Sequence, residues 1–138
     1  MADEIRRVQH YTIDLENVAG AGAHVLSLLR DGDVNLIAVW GYSSSGGKAK
    51  LELIPDDPDG FAAAATAAGL AIAGPTTAFF VTGEDRRGAL AGVSERLAHA
   101  GVNIVAAQAV ADGRGRFGAV IFVDAADLQK TATALDSR

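Results

Sequence analysis

The length, composition and charge of the chain indicate a globular protein and exclude several classes. It has 138 residues, of which 49% are hydrophobic and 21% charged, and its formal net charge is −5. A chain of this length buries roughly 70% of the surface that its unfolded form exposes. The acidic balance argues against a nucleic-acid partner, which requires clustered Lys and Arg. The absence of cysteine excludes disulfides, thiol nucleophiles and cysteine metal sites.

The N-terminal sequence and the apolar runs do not indicate export or membrane insertion. Residues 1–15 begin with acidic side chains and alternate polar with apolar residues, unlike a signal peptide. No apolar run approaches the ~20 residues that a bilayer-spanning helix needs. We therefore expect a cytoplasmic protein that does not contact a membrane.

The first half of the chain alternates strand and helix patterns. Period-2 alternation, helical spacing and turn residues predict, in order, a strand over 8–15, a helix over 21–30, a strand over 34–42, a hairpin turn at 43–47, a strand over 48–55, a helix over 58–68 and a short fourth strand over 70–73. Gly74-Pro75 then predicts a break between the two halves.

The second half repeats the same order of elements. The patterns predict a strand over 77–83, a helix over 86–100, a strand over 102–111, a hairpin turn at 112–115, a strand over 116–123 and a helix over 125–136. Leu90, Val93 and Leu97 form one apolar stripe of the first of these helices. Gly101 stands where a helix commonly ends in the left-handed conformation.

An internal repeat explains this recurrence. A shift of 68 residues without any gap pairs similar residues in both helices and both hairpins: Gly20 with Gly88, Val25 with Val93, Leu29 with Leu97, Asn35 with Asn103, Leu53 with Ile121 and Asp56 with Asp124. Such agreement across several elements indicates a duplication. We place the first repeat at residues 1–74 and the second at 75–138.

The order of elements in each repeat predicts an α+β fold made of two tandem ferredoxin-like units. A βαββαβ order folds most simply as an antiparallel sheet with both helices packed on one face. The second repeat ends in its last helix, so we expect its fourth strand to be missing. The sheet edge left open there could be covered by a second chain.

Two segments of the second repeat resemble the ACT domain, a ligand-binding regulatory module of amino-acid-metabolism enzymes. They are Asp85-Arg86-Arg87-Gly88-Ala89-Leu90 and Ala100-Gly101-Val102-Asn103-Ile104, and the family motif often reads D/N-R-P-G-x-L followed by G-x-N-I. Arg87 replaces the usual Pro. In the looser first copy, Gly22 stands where Leu90 would correspond, although Val34-Asn35-Leu36 matches well.

The resemblance implies a ligand site between two ACT units, at the loop after the first strand and the start of the second strand. In serine-binding members of the family, two Asn residues hold the amino acid. Carried over by position, these give Asn17 with Asn35, and Asp85 with Asn103. The implied ligand-binding residues are Asn17, Val18, Gly20, Asn35, Asp85, Arg86, Gly88, Ala89, Leu90 and Asn103.

The chemistry of the two loops predicts unequal sites. The N–H groups at a helix N-terminus can hold a carboxylate. An Asn amide can both donate to a carboxylate and accept from an ammonium group, whereas Asp85 can only accept. The first site is therefore expected to suit a whole amino acid better. Two alternatives stay open: Asn17 and Asp85 could be helix N-caps, and Asn35 and Asn103 could serve turn geometry.

Other polar and aromatic residues carry weaker signals. His10, His24 and His99 are far apart and do not coincide under the repeat shift, so we expect neither a metal site nor base catalysis from them. Trp40 and Tyr42 lie on one face of a strand, which would be a partner surface if it is open. An enzyme would need a polar cluster that the sequence does not reveal.

The resemblance and the residues together predict a non-catalytic regulatory protein without a cofactor. The ligand that the resemblance implies is a small molecule, an amino acid, and the action would be allosteric. Bound ligand would stabilise one arrangement of units and bias a regulated enzyme partner or the second chain of a homodimer. The alternative is a protein–protein interaction or dimerisation module that binds no ligand.

Overall fold

The computed structural model describes residues 3–137, which form two compact units. The first unit consists of residues 9–76. The second unit consists of residues 3–8 together with residues 77–137. The first unit covers residues 9–74 of the first predicted repeat and also residues 75–76, whereas residues 3–8 belong to the second unit.

The helices and strands follow the predicted order. They are β1 (Glu4–Glu16), α1 (Ala21–Asp31), β2 (Leu36–Ser43), β3 (Lys48–Pro55), α2 (Pro58–Ala67), β4 (Ala73–Glu84), α3 (Ala89–His99), β5 (Ile104–Ala111), β6 (Arg116–Val123) and α4 (Leu128–Leu135), with a 3-10 turn (Ala125–Asp127) before α4. The bounds of β3 and β6 are those predicted from alternation and turn residues. None of the helices that the structure describes is long and apolar enough to cross a membrane.

The first unit is an antiparallel sheet with two helices on one face. Its strand order is β2-β3-β1-β4, to which β4 contributes residues 73–76. β1 and β2 each run antiparallel to β3, and Tyr11 of β1 lies opposite Leu53. Because side chains alternate across a strand, every second residue faces the helices. The core contains Tyr11, Ile13, Val25, Leu29, Leu51, Leu53 and Phe61.

The second unit repeats this arrangement. Its strand order is β1-β4-β6-β5, to which β1 contributes residues 4–8. Phe79 of β4 lies opposite Ile121 of β6, the same register as Tyr11 and Leu53 in the first unit. Its core combines strand residues with helix residues: Ile5, Phe79, Val81, Ala89, Val93, Leu97, Val102, Phe117, Ala119, Ile121, Val123, Ala132 and Leu135. Both units are thus ferredoxin-like.

The fourth strand of each unit differs from the sequence-based expectation in one respect. As expected, no strand follows α4 in the described chain up to residue 137, and the start of β1 takes that place in the second unit. The predicted strand over 70–73 and the break at Gly74-Pro75 are wrong, because β4 runs continuously from Ala73 to Glu84. Pro75 lies near the beginning of β4, where a missing N–H group is tolerated.

Candidate functional site

The two loops that follow β1 and β4 have the same backbone conformation. Gly20 and Gly88 immediately precede α1 and α3 and have φ angles of 88° and 79°, in the left-handed region that glycine adopts without strain. Within the described residues, neither helix is capped by a side chain. The alternative that Asn17 and Asp85 act as N-caps is therefore wrong. The N–H groups of Ala21 and Ala89 donate to the carbonyl oxygens of Val18 and Arg86, both at 3.3 Å. The next two N–H groups of each helix have no intrahelical partner and can hold an anion.

Each loop is tied to the β-hairpin of its own unit. The N–H group of Asn17 donates to the carbonyl oxygen of Gly47 at 3.0 Å, and that of Asp85 donates to Gly115 at 2.8 Å. These glycines lie in the β2–β3 and β5–β6 turns, so each predicted loop lies beside a hairpin turn.

A cavity of about 280 Å³ lies beside the loop of the second unit. Its walls combine the loop, the first turn of α3 and the end of β5. It is lined by Asp85, Arg86, Gly88, Ala89, Leu90, Ala91, Ala109, Val110, Ala111 and Phe117. The structure thus brings together the predicted residues of this loop around one space. A charged rim, free helix N–H groups and a small apolar wall could hold a molecule of amino-acid size.

Arg86 is held by two other groups of the second unit. Its guanidinium donates to both carboxylate oxygens of Asp3, at 2.9 and 3.1 Å, and to the carbonyl oxygen of Glu84 at 3.1 Å. The bond to Asp3 is the main reason why the pKa of Arg86 is raised above its usual value. Two carboxylates, Asp3 and Asp85, therefore accompany one guanidinium at this loop.

The structure does not bring Asn17 and Asn35 together within the first unit. Asn17 lies beside Gly47, which precedes β3, whereas Asn35 bonds to Asp56, which follows β3. The Asn35 amide donates to the Asp56 carboxylate at 3.1 Å. The whole length of β3 separates the two Asn residues, which is roughly 25 Å at about 3.3 Å per residue.

Asp85 and Asn103 are separated in the same way in the second unit. Asp85 lies beside Gly115, before β6, and Asn103 precedes Ile104, which lies opposite Val123 at the end of β6. One small ligand cannot contact both residues of a single unit. The expectation of a shared crevice is wrong inside each unit because the intervening helix returns the chain to the opposite end of the sheet before the second strand begins.

A cavity of the first unit lies near the β2–β3 turn but is not lined by the predicted loop. It has a volume of about 560 Å³ and is lined by Asp14, Leu15, Glu16, Ser44, Ser45, Lys48 and Lys50. Its lysines are paired with its carboxylates: Lys50 bonds to Asp14 at 2.7 Å and Lys48 bonds to Glu16. Asn17, Val18 and Gly20 are exposed and do not line it. Of the two loops, only the second lines one of the cavities described here. That the first site suits a whole amino acid better stays a prediction.

A polar cluster on the helix-free face of the first unit was missed by the sequence analysis. The buried carboxylate of Glu52 accepts hydrogen bonds from Thr12 and Tyr42, both at 2.5 Å, and lies 2.7 Å from Nε2 of His10. The ring of Trp40 stacks on that of His10 with a centroid distance of 5.8 Å. Strand alternation already places His10 and Thr12 on one face of β1, but only the register of β3 shows that Glu52 lies opposite Thr12.

The electrostatics of this cluster do not favour catalysis. Burial raises the pKa of Glu52, but the hydrogen bonds from Thr12, Tyr42 and His10 outweigh burial, so the net pKa is lowered. The bond to Glu52 in turn raises the pKa of Tyr42. Glu52 is thus a satisfied anion and Tyr42 stays protonated at neutral pH, so neither is poised as a base or nucleophile. In residues 3–137 no group of His, Cys, Asp or Glu has the arrangement of a metal site.

The second repeat has the sequence features of a known regulatory domain. Residues 77–138 match the family model of the ACT domain. This range includes the loop, α3 and the strands that surround the 280 Å³ cavity. No curated protein sequence matches the chain.

Solved structures with similar folds cover nearly the whole chain. Protein BT0572 from Bacteroides thetaiotaomicron is 25% identical, with a TM-score of 0.79, over 97% of this chain and 88% of that one. The aspartokinase alpha and beta subunits are 14% identical, with a TM-score of 0.65, over 98% and 95%. The regulatory subunit of aspartate kinase from Thermus flavus is 14% identical, with a TM-score of 0.63, over 98% and 94%. The last two similarities concern the fold alone.

Proposed function

We propose that this chain is a non-catalytic regulatory protein built from two ACT units, and that it binds an amino acid beside α3. The observation that supports this proposal most strongly is the cavity of the second unit. It lies in the segment that matches the ACT domain. It is lined by five residues that the family resemblance implies: Asp85, Arg86, Gly88, Ala89 and Leu90.

The chemistry of the cavity suits an amino acid. The N–H groups of Leu90 and Ala91, in the first turn of α3, can donate to a carboxylate, and each such contact contributes about 0.3–1 kcal/mol. The Asp85 carboxylate can accept from the ammonium group. The apolar walls at Ala109 and Phe117 leave room for a small side chain.

A second copy of the chain would complete the site. β5 lies at the edge of its sheet, its residues 105–111 are all exposed, and its sequence IVAAQAVA carries no charge. Such an edge is a template for strand pairing. An antiparallel β5–β5 pair centred between Ala107 and Gln108 puts Asn103 of the partner subunit opposite Asp112, at the end of β5 that lines the cavity. Asp85 and Asn103 could then hold one ligand from two chains.

This arrangement supplies a regulatory mechanism by linkage. A ligand held by both copies stabilises the paired state, because it binds that state more tightly than the separated chains. The bias would be transmitted to a regulated enzyme of amino-acid metabolism, the class of partner implied by the ACT resemblance. We place the protein in the cytoplasm for the same reason.

A thermal-shift panel of the twenty amino acids tests the proposal. A ligand at 100 times its dissociation constant adds about 2.7 kcal/mol to the free energy of unfolding. We expect one or a few amino acids to raise the melting temperature, and Asp85→Ala to remove the shift. Asn17→Ala, the matched change in the other repeat, should keep it. A flat panel, or loss of the shift in Asn17→Ala alone, would contradict the proposal.

A dimerisation module without a ligand is the second candidate. The exposed, uncharged β5 edge supports it independently of the cavity. Sedimentation analysis of the unaltered chain and of Ala107→Pro separates the two candidates. A dimer that Ala107→Pro dissociates, together with a flat amino-acid panel, would favour the module.

A further inference from the structure

The Asp3 carboxylate lies in a nearly enclosed position beside the loop of the second unit, which we call the Asp3 seat. Only 9% of its side chain is exposed, and both of its carboxylate oxygens accept from Arg86. The seat exists because residue 83 is glycine: a Cβ atom at Gly83 would overlap Oδ1 of Asp3 and lie 2.9 Å from its Cγ. The backbone of β4 is therefore shaped to receive this carboxylate.

The first repeat lacks both parts of this arrangement. The 68-residue shift relates Gly83 to Leu15 and Arg86 to Val18. Leu15 has a side chain where Gly83 has none, and the Val18 side chain cannot donate to a carboxylate. Only the second unit, whose loop lines the 280 Å³ cavity, therefore combines a glycine at position 83 with an arginine at position 86.

We propose that Asp3 is an internal competitor for Arg86, and that it sets the affinity of the second-unit cavity for ligands that carry a carboxylate. Arg86 lines the cavity, and a guanidinium binds a carboxylate through two parallel N–H donors. Those donors are occupied by Asp3 in this structure. The proposal rests on the proposed function only in taking this cavity as the ligand site.

The competition follows from the burial of Asp3. A ligand carboxylate that takes the guanidinium donors leaves the Asp3 carboxylate in a nearly buried seat without its partner, which is unfavourable unless Asp3 moves out. The ligand therefore binds more weakly than it would to a free Arg86. Asp3 immediately precedes β1, so its release would also free the beginning of that strand. Ligand binding and the N-terminal residues are coupled in this way.

Acetate is the simplest probe of this competition. The full-length chain is titrated with sodium acetate at constant ionic strength, and the backbone amide signals of Leu90 and Ala91 are followed by NMR. We expect Asp3→Asn to bind acetate about fivefold more tightly or better, in the usual range of coupling between sites. Glu95→Gln, which changes the net charge equally on an exposed part of α3, should bind like the unaltered chain.

A double variant and a signal in the unaltered chain sharpen the test. In an Arg86→Gln background, Asp3→Asn should no longer change acetate binding. In the unaltered chain, the amide signals of Asp3 and Gly83 should move with the same dissociation constant as that of Leu90, which checks the proposal even if a variant folds poorly. Equal or weaker binding in Asp3→Asn, an equal gain in Glu95→Gln, or no binding in any variant would overturn it.

The two proposals can fail separately. A positive amino-acid panel with no effect of Asp3→Asn would leave the proposed function in place and remove the competition. Tighter acetate binding in Asp3→Asn with a flat amino-acid panel would support the competition and contradict an amino-acid ligand.

Discussion

The loops after β1 and β4 share a backbone but differ in side chains. Each has a left-handed glycine before its helix and a hydrogen bond from its first residue to a hairpin glycine. Yet Val18 of the first loop is 65% exposed and lines no described cavity wall, whereas its equivalent Arg86 lines a cavity and binds Asp3. The duplicated fold has kept the conformation that presents helix N–H groups. The charged residues 85–87 of the second loop correspond to the uncharged residues 17–19 of the first.

The helix-free sheet faces of the two units differ in the opposite way, because here the first unit is the more polar one. In the first unit Glu52 collects hydrogen bonds from Thr12, Tyr42 and His10. The repeat shift replaces each of these residues with an apolar one in the second unit: Val120, Phe80, Val110 and Ala78. The first unit thus has its buried polar network on the sheet face, and the second has its charged groups at the loop. Similar backbones support two different distributions of polarity.

The largest expected effect compares the cores of the two repeats. Phe61 is fully buried in α2, and its repeat equivalent, Gln129, is exposed on α4. Phe61→Ala should lower the free energy of unfolding by about 3–5 kcal/mol, because it removes buried area and leaves a cavity. Gln129→Ala should change it by less than about 0.5 kcal/mol. Urea unfolding measures both. Similar effects at the two positions would show that the cores are not organised as described.

The next effect concerns the Glu52 cluster and its pH dependence. The folded-state pKa of Glu52 is lowered, so this group stabilises the protein above the ordinary Glu range and loses its contribution as the pH falls toward the lowered pKa. Glu52→Gln should lower the free energy of unfolding at neutral pH by about 1–3 kcal/mol, because donors lose a charged acceptor. Between pH 7 and 3, the free energy of unfolding should fall less steeply in the variant than in the unaltered chain. An equally steep fall in both would contradict the role of the cluster.

The smallest of the stability effects tests the shared loop conformation. A Cβ atom at Gly88 would meet nothing within 4 Å, so Gly88→Ala tests the left-handed backbone alone and should destabilise by about 1–2 kcal/mol. Gly20→Ala should match it, since its φ is also positive and its surroundings are equally open. Thermal unfolding of both variants gives the comparison. A stabilising effect at either glycine would exclude the left-handed conformation there.

Local patterns predicted the elements well because each element has its own signal. β3 and β6 are bounded by turn glycines on one side and by Asp56 or Asp124 on the other, and the 68-residue shift placed both loop glycines. The membership of residues 3–8 in the second unit could not be predicted, because it depends on a pairing between distant parts of the chain. The seat of Asp3 against Gly83 depends on the same long-range placement.

The resemblance identified the loop of the candidate site, but it did not identify which other residues lie near that loop. The glycine and the residues before α3 were identified by resemblance, and they line one cavity. The error was to pair Asn17 with Asn35 in one crevice. The predicted elements already implied that the helix between the two residues returns the chain to the other end of the sheet. The Glu52 cluster needed the register between β1 and β3, which no local pattern supplies.

The most direct test of ligand binding in the second unit is an NMR titration of the full-length chain with an amino acid that raises its melting temperature. The account predicts that the amide signals of Leu90 and Ala91 move on binding, while those of the repeat equivalents Gly22 and Ala23 stay in place. Movement confined to Gly22 and Ala23 would contradict it.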